Sequence, residues 1–334
     1  MSDSLDIGVD VDSKEFVPAV ADRKAGDRIA NTRAGIAQWL NTLPQRCRIG
    51  MEATGRYYEL LARMAGQAGH VVYVINPRLI KHYGRATGSR GKTDAMDAEA
   101  IARYVKKEND RLREYVPRTD EQQQMHDLLR KRQTLVKTRA RLEQSFGVSK
   151  SAPGELSDLF CALAGTLSEL ESELQRLGRD GEHGTLYKRL LTIPGIGPAV
   201  AAHLIYYMTR WPLANANAWI ACTGLDPRPN ESGGRTGRRR LSKQGAPVLR
   251  QMLYMAAMGL KRCRRGQPLY DELSKRCRRG QPLYDELSKR GHPSTAVFNI
   301  LARKLARIAW GVFKSGRDFD PAMLKVGQAC FQQA

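Results

Sequence analysis

Residues 5–22, LDIGVDVDSKEFVPAVAD, set Ile7, Val9 and Val11 against Gly8, Asp10 and Asp12, and a second apolar run follows at once. A period of two places one set of side chains on each face of a strand, so this stretch predicts a strand and hairpin. The next segments alternate in type. AGIAQWLNTL reads as a short helix, CRIGMEATG as a strand ending near Glu52, YYELLARMAGQAG as a helix stopped by Gly69, and HVVYVINP as a buried strand. Strand and helix in turn call for an α/β layer fold. After Pro77 comes a basic stretch, then DAMDAEAIARYVKKE, whose Ala95, Ala98, Ile101, Ala102 and Val105 favour one helical face.

With 334 residues, 42% of them apolar, the chain can build two or three domains with their own cores. No run approaches the roughly 20 apolar residues of a membrane span, and MSDSLDIGVD lacks the basic start and apolar core of a signal peptide. A cytoplasmic protein with no membrane partner is expected. Cysteines at 47, 161, 222, 263, 277 and 330 form no Cys-x-x-Cys pair and suggest reduced, mostly buried thiols. Lys and Arg number 55 against 34 Asp and Glu, a net +21. Between Arg228 and Arg290 stand 17 basic and 5 acidic residues, so 12 of those charges fall in less than a fifth of the chain. That concentration is a footprint for nucleic acid.

From Asp120 to Phe146 the chain is polar and helix-prone, with Leu128, Leu135 and Leu142 seven apart. After GVSKSAPG, Leu156, Phe160, Leu163, Leu167, Leu170, Leu174 and Leu177 step by four and three, the seam of a coiled coil. An intramolecular helical hairpin and a dimer seam satisfy the pattern equally, and both hold if two hairpins pack together. Beyond Gly184 the sequence predicts helices joined by Gly, Pro and Arg-rich loops, which gives three domains at 1–115, 116–182 and 183–334. KRCRRGQPLYDELS at 261–274 recurs letter for letter at 275–288. Two copies cannot form a solenoid, so this is a tandem duplication within a connection between helices.

ATGSRGKTDAMDAEA, residues 86–100, matches the relaxed phosphate loop of nucleotide hydrolases. Such a loop is delivered by a buried strand, whereas RLIKHYGRA before it is basic and mixed, so no nucleotide is expected. Gly91-Lys92-Thr93 instead reads as a helix entry with Thr93 as its cap. Asp94 and Asp97, three apart, share a face of that helix; Asp10 opposes Val9 and Val11 on its strand, and Glu52 ends another. Four carboxylates from two strands and a helix can hold two divalent ions about 3.5 to 4 Å apart, the clamp for phosphodiester cleavage. Singly, each reads as a solvated or dipole-complementing acid.

GGRTGRRRLSKQG gathers Arg235, Arg238, Arg239, Arg240 and Lys243 around Ser242. Composition favours a flexible phosphate-binding loop whose serine caps a helix starting near Ala246. A nucleophilic serine would need a base, and no His or carboxylate lies nearby in sequence. IPGIGPAVAAHLI reads equally as a tight turn between packed helices or as a helix-hairpin-helix whose Gly195 and Gly197 backbone approaches a phosphate. Either reading puts Ile193, Ile196 and Val200 in the core.

IGVD, MEATG, VINP and KTDAMDA occur in the order and spacing of DEDD-type insertion-sequence transposases, the bridge-RNA-guided serine recombinase group related to pilin-gene invertases, which this chain resembles. IPGIG, TGLDPRPNESGG, LSKQGAPVLR and RKLARIAWGVFKSG extend the resemblance towards the C-terminus. It implies an α/β RuvC-like, ribonuclease-H-type N-terminal domain, a helical coiled-coil hairpin and a mostly α-helical C-terminal transposase domain. It also implies that Asp10, Glu52, Asp94 and Asp97 bind Mg²⁺ in a two-metal site. Asp10 takes the first role rather than Asp12, because Phe16 then falls where the family has an aromatic. Ser242 is implied to attack DNA and form a covalent phosphoserine link, with a guide RNA choosing donor and target DNA in a homo-oligomer, dimer or tetramer. Two other readings use the same residues: a metal-dependent junction-resolving nuclease without a covalent serine, and a non-catalytic nucleic-acid-binding protein.

Overall fold

The computed structural model describes residues 5–53, 55–87, 93–146, 154–210, 212–232, 235–237, 240–262, 264, 266–275 and 294–321. The chain divides into two compact units, Met1–Pro117 and Arg118–Ala334.

In the first unit β1 (Asp6–Val11) pairs antiparallel with β2 (Glu15–Val20), and β2 with the short β3 (Ile29–Ala30). On its other side β1 runs parallel to β4 (Arg48–Glu52), which runs parallel to β5 (Val71–Ile75), giving the order β3-β2-β1-β4-β5. Parallel neighbours require crossovers, and α1 (Arg33–Asn41) and α2 (Tyr58–Gln67) lie in them. Two helices follow β5: α3 (Pro77–Ala86) and α4 (Asp94–Glu108). A mixed sheet of this kind with a mostly helical remainder fits the RuvC-like expectation.

The period of two sorts the sheet as the sequence predicts. Ile7, Val9, Val11 and Phe16 are buried with Ile36, Trp39 and Leu61 on one face. On the other, Val17 and Ala19 pack with Ala98 of α4, and Tyr73 and Ile75 pack with its Ile101 and Val105. Gly8 and Gly50, paired in register, are what lets α4 come this close. A Cβ on Gly8 would stand 2.2 Å from the Ala98 carbonyl oxygen and the Ala102 nitrogen, and one on Gly50 2.3 Å from Val105 Cγ2.

The stretch after Pro77, read from sequence only as basic, is a full helix. Asn76 Oδ1 accepts from the Arg78 N–H at 3.0 Å, and Pro77 supplies the first helical residue without wasting a donor. Its apolar contribution is small, with Ile80 buried in the cluster of Tyr73, Ile75, Ile101 and Val105.

The second unit wraps α5 (Asp120–Phe146), α6 (Gly154–Asp180), α7 (Gly184–Leu191), α8 (Pro198–Arg210), α9 (Ala216–Thr223), α10 (Pro247–Arg262), α11 (Gln267–Lys275) and α12 (Ser294–Ser315) around one core. Ile193, Ile196 and Val200 are buried there as expected. Trp219 of α9 donates its indole N–H to the Ala306 carbonyl of α12 at 2.9 Å. The predicted heptad seam is only partly realised. Met125, Leu128, Leu129, Leu174 and Leu177 join the core, whereas Leu142, Leu156, Phe160 and Leu163 are half-buried and Phe146 is exposed. Midway along α6 Leu167 is also buried, and Arg132 of α5 pairs with Glu171 of α6 at 2.6 Å.

The Arg-rich connection before α10, expected to be irregular, holds two small ribbons. β6 (Pro227–Arg228) pairs with β9 (Arg240–Leu241), and β7 (Glu231–Ser232) with β8 (Arg235–Thr236). Of the duplicated segment, the first copy forms α11 and buries Leu269, Tyr270 and Leu273, while the second, apart from Lys275, lies outside the described residues. Among the described cysteines Cys47 is buried and Cys222 half-buried, but Cys161 is exposed on α6. No described helix is long and apolar enough to cross a membrane.

Candidate active site

On β1, Asp10 lies two residues beyond Gly8 and therefore on the face that α4 covers. Glu52 lies two beyond Gly50, on the same face of β4. The parallel register that pairs Val9 with Met51 makes the next residues, Asp10 and Glu52, neighbours on strands about 4.8 Å apart. Both acids are half-buried. Asp12 is exposed beyond the strand, in the turn where its N–H donates to the Glu15 carbonyl at 2.9 Å.

Two ion pairs fix the direction of α4. At its start Arg28 bridges Asp94, at 2.9 Å, and Glu15, the residue that opens β2 beside the end of β1. Near its end Lys106 pairs with Asp22 at 2.6 Å, where β2 has finished and β1 begins. So α4 runs antiparallel to β1, and its N-terminus reaches the carboxyl end of the sheet where Asp10 and Glu52 sit. Thr93 caps it, its Oγ1 accepting from the Met96 N–H at 3.2 Å, as the sequence predicts. Asp94 and Asp97 occupy the first turn, where the helix dipole favours negative charge.

The chemistry of this donor set suits a hard divalent cation: carboxylate oxygens from two strands and one helix, gathered at one sheet end. The cage itself is not closed. Among the described residues no three His, Cys, Asp or Glu side chains are grouped so as to hold a metal, and the Asp94 carboxylate is engaged by Arg28. Arg28 had no signal in the sequence beyond its charge; its role comes from bridging two acids 79 positions apart, Glu15 and Asp94.

Ser242 belongs to the second unit, and the stretch from Ser242 to Ala246 is tied back to residues 222–226. The Ser242 N–H donates to the Asp226 carbonyl at 2.8 Å, the Lys243 N–H to Gly224 at 3.2 Å, and the Ala246 N–H to Cys222 at 3.1 Å. The hydroxyl is buried, donates to Asp226 Oδ1 and accepts from the Gln244 N–H at 3.3 Å, so it does not cap α10. A carboxylate thus does stand beside this serine, sixteen residues away in sequence. Lys243 takes a left-handed φ of 53° and is exposed, as is Arg240. Arg235 lies on β8, and Arg238 and Arg239 lie outside the described residues. Gly195 has φ +86°, and a Cβ there would stand 2.8 Å from the Ala256 carbonyl oxygen. That packing alone accounts for a glycine at 195. Gly197 lines a cleft of about 180 Å³ with Glu171, Leu174 and Gln175 of α6.

Residues 7–147 match a family model described as Transposase, of the DEDD type, and residues 187–271 match one described as Transposase IS116/IS110/IS902 family. The chain is 27% identical to the transposase for insertion sequence element IS1328 of Yersinia enterocolitica, over 94% of this chain and 98% of that protein. It is 28% identical to the pilin gene-inverting proteins of Moraxella lacunata and Moraxella bovis, over 81% of each chain. A DEDD-type domain is RuvC-like and metal-dependent. The match supports metal-dependent chemistry and overturns the expected RNA-guided reaction through a covalent phosphoserine, for which neither match gives support. Ser242 lies in the second matched span, residues 187–271, and its hydroxyl donates to Asp226.

Proposed function

We propose, on the premise that the chain belongs to the IS116/IS110/IS902 family of insertion-sequence transposases, that it cuts DNA phosphodiesters hydrolytically at a divalent-metal site formed by Asp10, Glu52, Asp94 and Asp97. The names of its relatives, a transposase for an insertion sequence element and pilin gene-inverting proteins, support DNA as substrate. The observation that carries the reading is the meeting of strand ends and helix start: two acids on rigid parallel strands, two more in the first turn of the one helix laid across them.

Bound ions of the Mg²⁺ class would polarise the scissile phosphate and activate water. The chain's own part is placement. β1 and β4 hold Asp10 and Glu52 side by side, and the seating of α4 on Gly8 and Gly50 brings Asp94 and Asp97 to the same end of the sheet. Arg28, by pairing with Asp94, balances part of the negative charge that four acids bring to this end.

A branched four-way DNA junction incubated with Mg²⁺ or Mn²⁺ tests the reading. Asp10→Asn, Glu52→Gln, Asp94→Asn and Asp97→Asn should each cut at least about 100-fold more slowly, because each removes a ligand from one shared clamp. Full cleavage by Asp10→Asn would refute it, and DNA binding without cleavage by the unaltered protein would favour a non-catalytic binding role. The half-buried Leu142, Leu156, Phe160 and Leu163 further support self-association through the long helices, which light scattering at graded concentrations would reveal.

A further inference from the structure

Helix α3 carries Arg78, Lys81, His82 and Arg85 at intervals of three, one and three, which is the spacing of a single helical face. All four are exposed, and among the described residues none of them pairs with a carboxylate. The helix has no acidic residue. Its opposite face is spoken for: Ile80 is buried against Ile101 and Val105, and the Tyr83 ring meets Tyr104 edge to face at 5.2 Å. The cationic stripe is thus held rigidly outward by packing on the same α4 that carries Asp94 and Asp97.

Its position is also specific. β5 ends at Ile75, in register with Glu52, and Asn76 caps α3 directly afterwards. The stripe therefore begins at the carboxyl end of the sheet, beside the acids. Arg78 stands in the first turn, where the helix dipole opposes a cation, so its placement there is not explained by helix stability. The seven steps from Arg78 to Arg85 rise about 10 Å along the axis, long enough to meet two successive backbone phosphates.

We infer that this face of α3 binds the sugar-phosphate backbone of the DNA strand presented to the carboxylates. The inference rests on the DNA-cutting reading above and adds to it a sequence-independent grip within the first unit, separate from the arginines around Ser242. Base edges need not be read by such a face, since phosphate contacts fix register without carrying sequence information.

The test uses the full chain and a fluorescent DNA duplex of about 30 base pairs and arbitrary sequence, titrated at several salt concentrations. The variant Arg78→Gln/Lys81→Gln/Arg85→Gln should bind at least about 10-fold more weakly near 0.1 M salt. Its log K against log salt slope should also be shallower by roughly 2 to 3, about 0.9 per phosphate contact removed. A control with equal charge loss on α5, Lys131→Gln/Lys137→Gln/Arg141→Gln, should leave the slope within about 1 of the unaltered protein. Equal losses in both variants, or no loss in the first, would overturn the assignment to α3 while leaving the cleavage reading intact. Failure of the unaltered protein to bind the duplex would overturn both. A larger loss with an RNA duplex than with DNA would overturn DNA as the occupant. The single change Lys81→Glu, at an exposed position on a folded helix, guards against misfolding of the triple variant and should weaken binding in the same sense.

Discussion

Acidification should weaken the second unit through one buried histidine. His203 on α8 is 2% exposed; its Nδ1–H donates to the Ala199 carbonyl at 2.7 Å, and its Nε2 is buried with no hydrogen-bond partner among the described residues. Burial lowers its pKa to about 4 from 6.5, with the Arg132 charge pushing the same way and the bond to Ala199 opposing it. Above pH 6.5 the ring is neutral both folded and unfolded, so the full stability is present. As the pH falls below 6.5 the unfolded chain takes up a proton that the folded chain refuses, and stability drops by about 1.4 kcal/mol per pH unit until about pH 4. The loss comes to about 2.5 kcal/mol by roughly pH 4.5, and about 3 kcal/mol in the limit. Urea unfolding of the unaltered protein and of His203→Leu, at about pH 7.5, 6.5, 5.5 and 4.5, isolates the effect from carboxylates common to both. Trp219 and Trp310, stacked in the same core, give the fluorescence signal. The variant should stay within about 1.5 kcal/mol of the unaltered protein at neutral pH and lose about 2.5 kcal/mol less on acidification. Parallel curves for the two proteins would refute a neutral buried imidazole as the cause.

Gly8→Ala should cost the first unit at least about 3 kcal/mol or its fold, since the new methyl meets backbone and not a movable side chain. By contrast Gly66→Ala, in α2 with nothing within 4 Å of the added carbon, should stabilise by about 0.5 to 1 kcal/mol; thermal melts compare the two. Ser242→Ala should lower the stability of the second unit by about 1 to 2 kcal/mol, by releasing the Asp226 carboxylate from its hydroxyl donor. For Trp219→Phe the expected loss in denaturant unfolding is about 2 to 3 kcal/mol, from the vacated ring volume and the lost indole bond to the Ala306 carbonyl.

The strands of the first unit were legible because each has a core face and an opposite face, and a period of two records that directly. The same alternation put Asp10 on the side away from Val9 and Val11, and the placement of Thr93 as a cap followed from local chemistry. Helix α3 was missed because its periodic residues are charged: Arg78, Lys81 and Arg85 repeat with the helical interval, but only Ile80 is buried. The signal was the Asn76-Pro77 pair, a cap followed by a residue fitted to the first helical position. Contacts distant in sequence left no such trace. Arg28 with Asp94, and Ser242 with Asp226, come together through turns whose paths depend on the whole packed unit. The leucine seam leaves its partner open, since spacing of four and three describes any helix stripe facing an apolar surface and does not say whether that surface is the core, the neighbouring helix or a second copy.

The contact between α4 and the sheet at Gly8 is made by main chain against main chain. A separation set by van der Waals contact between two backbones changes little when side chains elsewhere are exchanged. Substitutions at Val17 or Ala19 therefore change how firmly the unit holds together more than they change the spacing of α4 from β1. The spacing of helix from sheet is in this sense set separately from the stability of the core around it.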